Sequence, residues 1–134
     1  MKKIKYSLIW KKRVNMNNEN VIKTILEDVL GVEEDEITMD SHLVLDLGAD
    51  SIDFIDICYK LEKNFNISKI VISDIYPEGI GQIDYSEENL HKIIQKYPYI
   101  NDNIINIIRK EENYESFYTV RALVDYITWR MKNE

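Results

Sequence analysis

Few side chains in this sequence are placed to do chemistry. Ser51 stands in Leu47-Gly48-Ala49-Asp50-Ser51-Ile52-Asp53. Asp50 is a good helix N-cap, and Asp53 three residues on makes a capping-box-like pattern, so Ser51 is expected in a first helical turn. There its hydroxyl lies beside backbone N–H groups that lack intrahelical acceptors, at the positive end of the helix dipole. A phosphodiester attached to Oγ would be electrostatically well placed. Gly48 and Ala49 are expected to keep bulk away from that hydroxyl. The plainer alternative is a first-turn serine that is merely exposed. His42 falls in a loop and His91 in a later segment, with neither a metal-ligand spacing nor a place beside Ser51 as a base. Cys58 is the single cysteine, so no intrachain disulfide exists, and its apolar surroundings mark a small core residue. Asp53, Asp56 and Glu62 are read as a solvated face that partners recognise rather than as a cation site.

Ser51 must be positioned by helices. Residues 18–30 carry Ile22, Ile25, Leu26, Val29 and Leu30 at helical spacing, and Gly31 follows where a left-handed C-cap belongs. Residues 32–49 show no sustained period and predict a loop pinned by Ile37, Leu43, Val44, Leu45 and Leu47. The helix from Ser51 is apolar round most of its circumference, with Asp53, Asp56, Lys60 and Lys63 outward. Phe65 and Ile67 close that unit. Residues 68–118 hold twelve Ile and seven aromatic residues, broken by Pro77, Gly79, Gly81 and Pro98. Short helices are expected there, one from Ser86 and one from Asn101 or Asp102. Thr119 is read as the N-cap of a last helix with Val120, Leu123, Val124, Ile127 and Met131 in one stripe.

The whole is 134 residues, a length that suits one domain, with 45% apolar and 31% charged side chains. No run approaches the ~18 apolar residues of a membrane span. A net charge of −7 argues against a protein that coats nucleic acid. Residues 1–15 hold six of the 17 basic residues and no acid, leaving 11 basic against 24 acidic side chains elsewhere. This N-terminal extension is expected to be disordered, with a basic arm touching anionic lipid as the alternative. The fold expected is all-α: a small helical bundle.

The stretch from Leu47 to Asp53 resembles the phosphopantetheine attachment motif of acyl carrier proteins, whose core is Asp-Ser-Leu, with Ile52 in place of the Leu. The likeness extends to residues 18–30, to Leu61-Glu62-Lys63-Asn64-Phe65, and to Thr119-Val120-Arg121-Ala122-Leu123-Val124-Asp125-Tyr126-Ile127. It implies an acyl-carrier-like bundle over 16–134, with an enlarged, mostly helical insertion at 68–118 between the second and last helices. It further implies 4′-phosphopantetheine attached to Ser51, with Gly48, Asp50 and Ile52 around it. The chain is then no enzyme but a cytoplasmic carrier, expected to be a monomer and to take part in fatty acid or lipid biosynthesis. Its partners would be a phosphopantetheinyl transferase, acyl-chain synthesis enzymes and acyltransferases. Asp53, Asp56 and Glu62 match the acids that carriers present to basic patches on enzymes, whereas Lys63 falls where an acid is common.

The run Ser51-Ile52-Asp53-Phe54-Ile55-Asp56-Ile57 is similar to specialised carriers that deliver very long acyl chains to lipid A, which also have an enlarged region before the last helix. On that likeness Phe54, Ile55 and Tyr59 would face the insertion and line an acyl pocket, walled by Ile93, Ile94, Ile104 and Ile108. The insertion enlarging a solid core is the other reading. Three alternative functions stay open: a carrier of a polyketide or non-ribosomal peptide pathway, a non-carrier helical interaction module and, least favoured for want of a base–nucleophile constellation, an enzyme.

Overall fold

The computed structural model describes residues 18–133, so the expectation for residues 1–15 lies outside the described residues. Among the described residues there are six α-helices, three short 3-10 turns and no strand, only an isolated bridge between His42 and Thr119. The all-α expectation holds.

Helix α1 covers residues 18–30 and buries Ile22, Ile25 and Leu26. It stops where expected: Gly31 takes φ +67°, and its N–H donates to the Glu27 carbonyl at 2.9 Å. Helix α2 spans Ser51–Phe65 and buries Phe54, Ile57, Cys58 and Leu61. It ends in a left-handed Asn66, whose N–H returns to the Glu62 carbonyl. Lys60 bonds Asp28 across to α1 at 2.7 Å.

Segment 68–118 folds as three helices: α3 (Ile72–Ile75), α4 (Glu87–Lys96) and α5 (Asp102–Glu111). Ser86 caps α4 through the Asn89 N–H at 3.2 Å, and Asn101 caps α5 through the Ile104 N–H at 3.0 Å. The Arg109 guanidinium on α5 reaches both carboxylate oxygens of Glu87 on α4, at 2.8 and 3.0 Å. Ile93, Ile104 and Ile108 are buried in one continuous apolar cluster with Phe54 and Leu61 of α2, and Ile94 packs against it half-buried. Helix α6 (Val120–Asn133) starts from Thr119, whose hydroxyl accepts the Ala122 N–H at 3.3 Å. It buries Val120, Leu123, Val124 and Ile127, together with Ala122 and Tyr126. Met131, expected in that stripe, is exposed near the helix end.

Tyrosine hydroxyls brace the segment internally, and one of them ties it to α6. Tyr118 donates to the Pro77 carbonyl at 2.7 Å, Tyr99 to the Asp74 carbonyl at 2.9 Å and Tyr126 to the Asp74 carboxylate at 3.0 Å. Burial, the main cause, pushes the Tyr118 and Tyr126 hydroxyls up to about 12, against an ordinary value of about 10. Between those values the folded protein keeps protons that the unfolded chain has lost. Their contribution is therefore complete below about pH 10 and lost as pH rises toward about 12. Urea midpoints are expected to fall over that interval, and Tyr118→Phe should flatten part of the fall.

Candidate functional site

The backbone before α2 is shaped to deliver Ser51 to the surface. Asp46 and Leu47 donate their N–H groups to the His42 carbonyl at 3.0 and 3.1 Å, and Gly48 donates to the Val44 carbonyl at 3.0 Å. This helical-type turn sends Leu43 and Leu47, four apart, into the core. Leu45, expected as an anchor, lies between them on the outside and is 73% exposed. The His42 ring is the hub of the turn. Its Nδ1 accepts the N–H groups of Val44 and Leu45 at 3.1 and 3.0 Å, and its Nε2 lies 2.5 Å from the Glu115 carboxylate. Two donors on Nδ1 assign the proton to Nε2, which donates to Glu115. With its acceptor nitrogen engaged, His42 is a structural link from the loop before α2 to the 3-10 turn Glu115–Tyr118, not a base for Ser51.

Gly48 has φ +75°, and a Cβ built there would meet nothing within 4 Å. The left-handed backbone at this position favours glycine. Ala49 is buried, and its N–H donates to the Leu43 carbonyl at 2.9 Å. Asp50 is extended and forms a complete capping box: Asp53 N–H to Asp50 Oδ1 at 2.8 Å, and Asp50 N–H to Asp53 Oδ2 at 3.0 Å. Asp50→Ala is expected to cost about 1 kcal/mol in urea unfolding, and Asp50→Asn, which keeps the acceptor, much less.

Ser51 opens α2 and is exposed, with Ile52 beside it 73% exposed. Of the first-turn N–H groups, that of Asp53 goes to the Asp50 side chain and that of Phe54 to the Asp50 carbonyl. Those of Ser51 and Ile52 face the open helix end, with no intrahelical acceptor to claim them. An exposed hydroxyl at a rigidly capped helix N-terminus fits an attached phosphodiester, whose anion meets the helix dipole.

The other expected residues divide. Phe54 is 1% exposed, and its ring stacks on Tyr76 with centroids 4.6 Å apart. Tyr76 in turn tilts against Tyr118 at 4.9 Å. Ile55 and Tyr59, expected beside Phe54 in an acyl pocket, are 58% and 57% exposed, a correction with a simple cause. Helix α2 turns its Phe54–Ile57–Cys58–Leu61 side inward, and Ile55 and Tyr59 fall on the other side. Asp56 is exposed as expected, and Asp53 is half-buried in the capping box. Glu62 is corrected too: its carboxylate accepts the Ile70 N–H at 2.6 Å, so it holds the chain leaving α2 rather than joining Asp56 on the outer face. Cys58 is buried, and desolvation, helped by Glu62 and Asp74, pushes its thiol up to about 11. It stays protonated at neutral pH and acts as a core residue. Sequence reasoning missed the His42–Glu115 and Phe54–Tyr76 pairs; the first spans 73 positions, so no local pattern could reveal it.

A family profile described as "Phosphopantetheine attachment site" matches residues 20–75, from α1 through α3. The chain is 39% identical over 62 residues to the acyl carrier protein of Cyanidium caldarium, covering 46% of this chain and 69% of that relative. It is 43% identical over 49 residues to the acyl carrier protein of Akkermansia muciniphila, covering 37% of this chain and 61% of that relative. The covalent cofactor of the matched domain is 4′-phosphopantetheine. A capped, exposed helix start within the attachment profile, together with these relatives, establishes that the chain belongs to the acyl carrier protein family.

Proposed function

We propose that Ser51 Oγ is the attachment atom and that the chain carries acyl groups for fatty acid or lipid biosynthesis, acting as substrate and partner of enzymes. The observation that carries this reading is the exposed Ser51 at the capped start of α2, inside the attachment profile. When bound, the group supplies a flexible tether ending in a thiol that holds the acyl chain as a thioester. Asp50 and Asp53 keep the helix start rigid, so the serine hydroxyl is presented in one geometry to a transferase that draws on coenzyme A. Gly48 and the His42 turn aim that start outward. Ile52, Ile55 and Asp56 form the surface that an enzyme meets when it approaches Ser51.

For the role of segment 68–118, the buried Phe54–Tyr76 stack and the continuous cluster through Ile93, Ile104 and Ile108 support a structural enlargement of the core. The test of the attachment reading is incubation with coenzyme A, Mg²⁺ and a broad-specificity phosphopantetheinyl transferase. Wild type should gain the mass of one phosphopantetheinyl group and Ser51→Ala none, with unchanged helicity. A gain that persists in Ser51→Ala would overturn the assignment.

A further inference from the structure

Residues 1–15 are strongly patterned in sequence. Lys2, Lys3 and Lys5 stand on one side of Tyr6-Ser7-Leu8-Ile9-Trp10, and Lys11, Lys12 and Arg13 stand on the other, with no acid in the segment. Aromatic and aliphatic side chains between basic clusters suit the boundary of a lipid layer. There amphipathic rings settle at headgroup level and cations meet anionic headgroups. The aliphatic pair Leu8-Ile9 has no use against the phosphate backbone of a nucleic acid.

The fold fixes where this segment joins the described residues, and the place is remote from Ser51. Asn18, at the start of α1, is buried, and its side-chain amide donates to the Thr128 hydroxyl on α6 at 3.4 Å. Helix α6 begins at the other end, beside the loop before α2. There the Leu43 N–H donates to the Tyr118 carbonyl at 2.8 Å and the Val120 N–H to the Ser41 carbonyl at 3.0 Å. From Val120 to Lys132 the axial distance is about 18 Å, at 1.5 Å per residue. Helix α1 agrees: the cleft it forms with α2 runs from Asp28 and Lys60 back to Asn20 on α1 and on to Asn64 on α2. Its first residues therefore lie toward the end of α2 that is farther from Ser51. At this remote end α6 exposes Met131 and Lys132. The acids crowd the opposite end: Glu33, Glu34, Asp35 and Glu36 follow the close of α1, and Asp46, Asp50 and Asp56 surround Ser51, all of them exposed.

We propose that residues 2–13, with Met131 and Lys132 near the point where the segment joins the bundle, dock the protein on an anionic lipid surface. Tyr6, Leu8, Ile9 and Trp10 enter the headgroup region while the six basic side chains meet lipid phosphates. An anionic surface repels the acidic end of the molecule. That end stands about 18 Å away, however, more than two Debye lengths of about 8 Å at physiological salt, so the repulsion is screened. Ser51 is then turned from the lipid and left open to enzymes. Lipid binding of this kind does not depend on Ser51 being the attachment atom, and unmodified protein serves to measure it.

The experiment is cosedimentation of the full chain with vesicles of phosphatidylglycerol and phosphatidylcholine in equal parts, and with vesicles of phosphatidylcholine alone, at low and high salt. The variants are Trp10→Ala and the combination Lys11→Gln, Lys12→Gln, Arg13→Gln. Lys110→Gln, an exposed site beside the start of α6, is the control. Wild type and the control should bind the anionic vesicles alike, and should bind phosphatidylcholine about a hundredfold more weakly. The combined variant should bind the anionic vesicles about a hundredfold more weakly than wild type, and Trp10→Ala about tenfold, with the charge-dependent part fading as salt rises. Wild type that does not sediment with anionic vesicles, or a combined variant that binds them as wild type does, would overturn lipid docking. A melting midpoint several degrees lower in the combined variant without vesicles would overturn it as well, since the segment would then be seated on the acidic body. Binding to single-stranded RNA as tight as to anionic vesicles at the same salt would overturn lipid as the partner and leave a general polyanion-binding segment.

Discussion

Phe54→Ala is expected to lower the unfolding free energy by about 3–5 kcal/mol, the range for emptying a buried aromatic site. The Phe54 ring is 1% exposed and stacks on Tyr76, which tilts against Tyr118, whose hydroxyl is fixed to the Pro77 carbonyl. Truncation therefore leaves a cavity and also unseats the aromatic contacts that join α2 to the segment after it. Such rings contribute beyond their buried area when they pair in defined geometry. Ile55→Ala, one position along, should change stability by no more than about 0.5 kcal/mol, because that side chain faces solvent. Urea denaturation of the two variants checks both values. Comparable losses at the two positions would contradict the orientation of α2 described above.

His42→Ala is expected to cost about 2 kcal/mol, since it strips the acceptor from two backbone N–H groups in a partly buried turn. The conservative variants separate the two sides of the ring. Asn places a carbonyl oxygen near the position of Nδ1 and can take the Val44 and Leu45 N–H groups. Gln reaches instead toward Glu115, whose side chain is 56% exposed and can turn to water. The expected order of stability is wild type, then Asn, then Gln, with Ala lowest. Ser51 modification should slow in the same order, because the turn that precedes α2 loosens. Melting midpoints and modification rates read the two effects separately. A Gln variant more stable than Asn would show that the tie to Glu115 outweighs the turn itself.

What was legible in the sequence was local. The capping box at Asp50 and Asp53, the caps at Ser86, Asn101 and Thr119, and the stop at Gly31 each depend on residues within a few positions of one another. Helical spacing likewise found much of the buried sides of α1 and α6, Met131 excepted. The orientation of α2 was harder to read. Its run Ser51–Leu61 is apolar on nearly every side, so periodicity could not say which apolar residues face inward. Ile52, Ile55 and Tyr59 face outward because Phe54, Ile57, Cys58 and Leu61 meet the core. Glu62 looked like a surface acid until the chain beyond α2 brought the Ile70 N–H to it. Gly48 was read for its small size, and its positive φ, a property of the turn, was not visible in the local pattern. His42 was read as an inert loop residue because Glu115, its partner, is 73 positions away.

On the proposed reading, Ser51 carries the acyl chain through an attached phosphopantetheine. This reading is tested most directly by intact-mass analysis of the protein purified from its own cell, followed by fragmentation to locate the added mass. A population heavier by one phosphopantetheinyl group or by its acylated forms is expected, with all the added mass on the peptide containing Ser51. Hydroxylamine should remove the acyl part and leave the tether, as a thioester requires. Protein that bears no addition, or bears it on a residue other than Ser51, would overturn Ser51 as the attachment site.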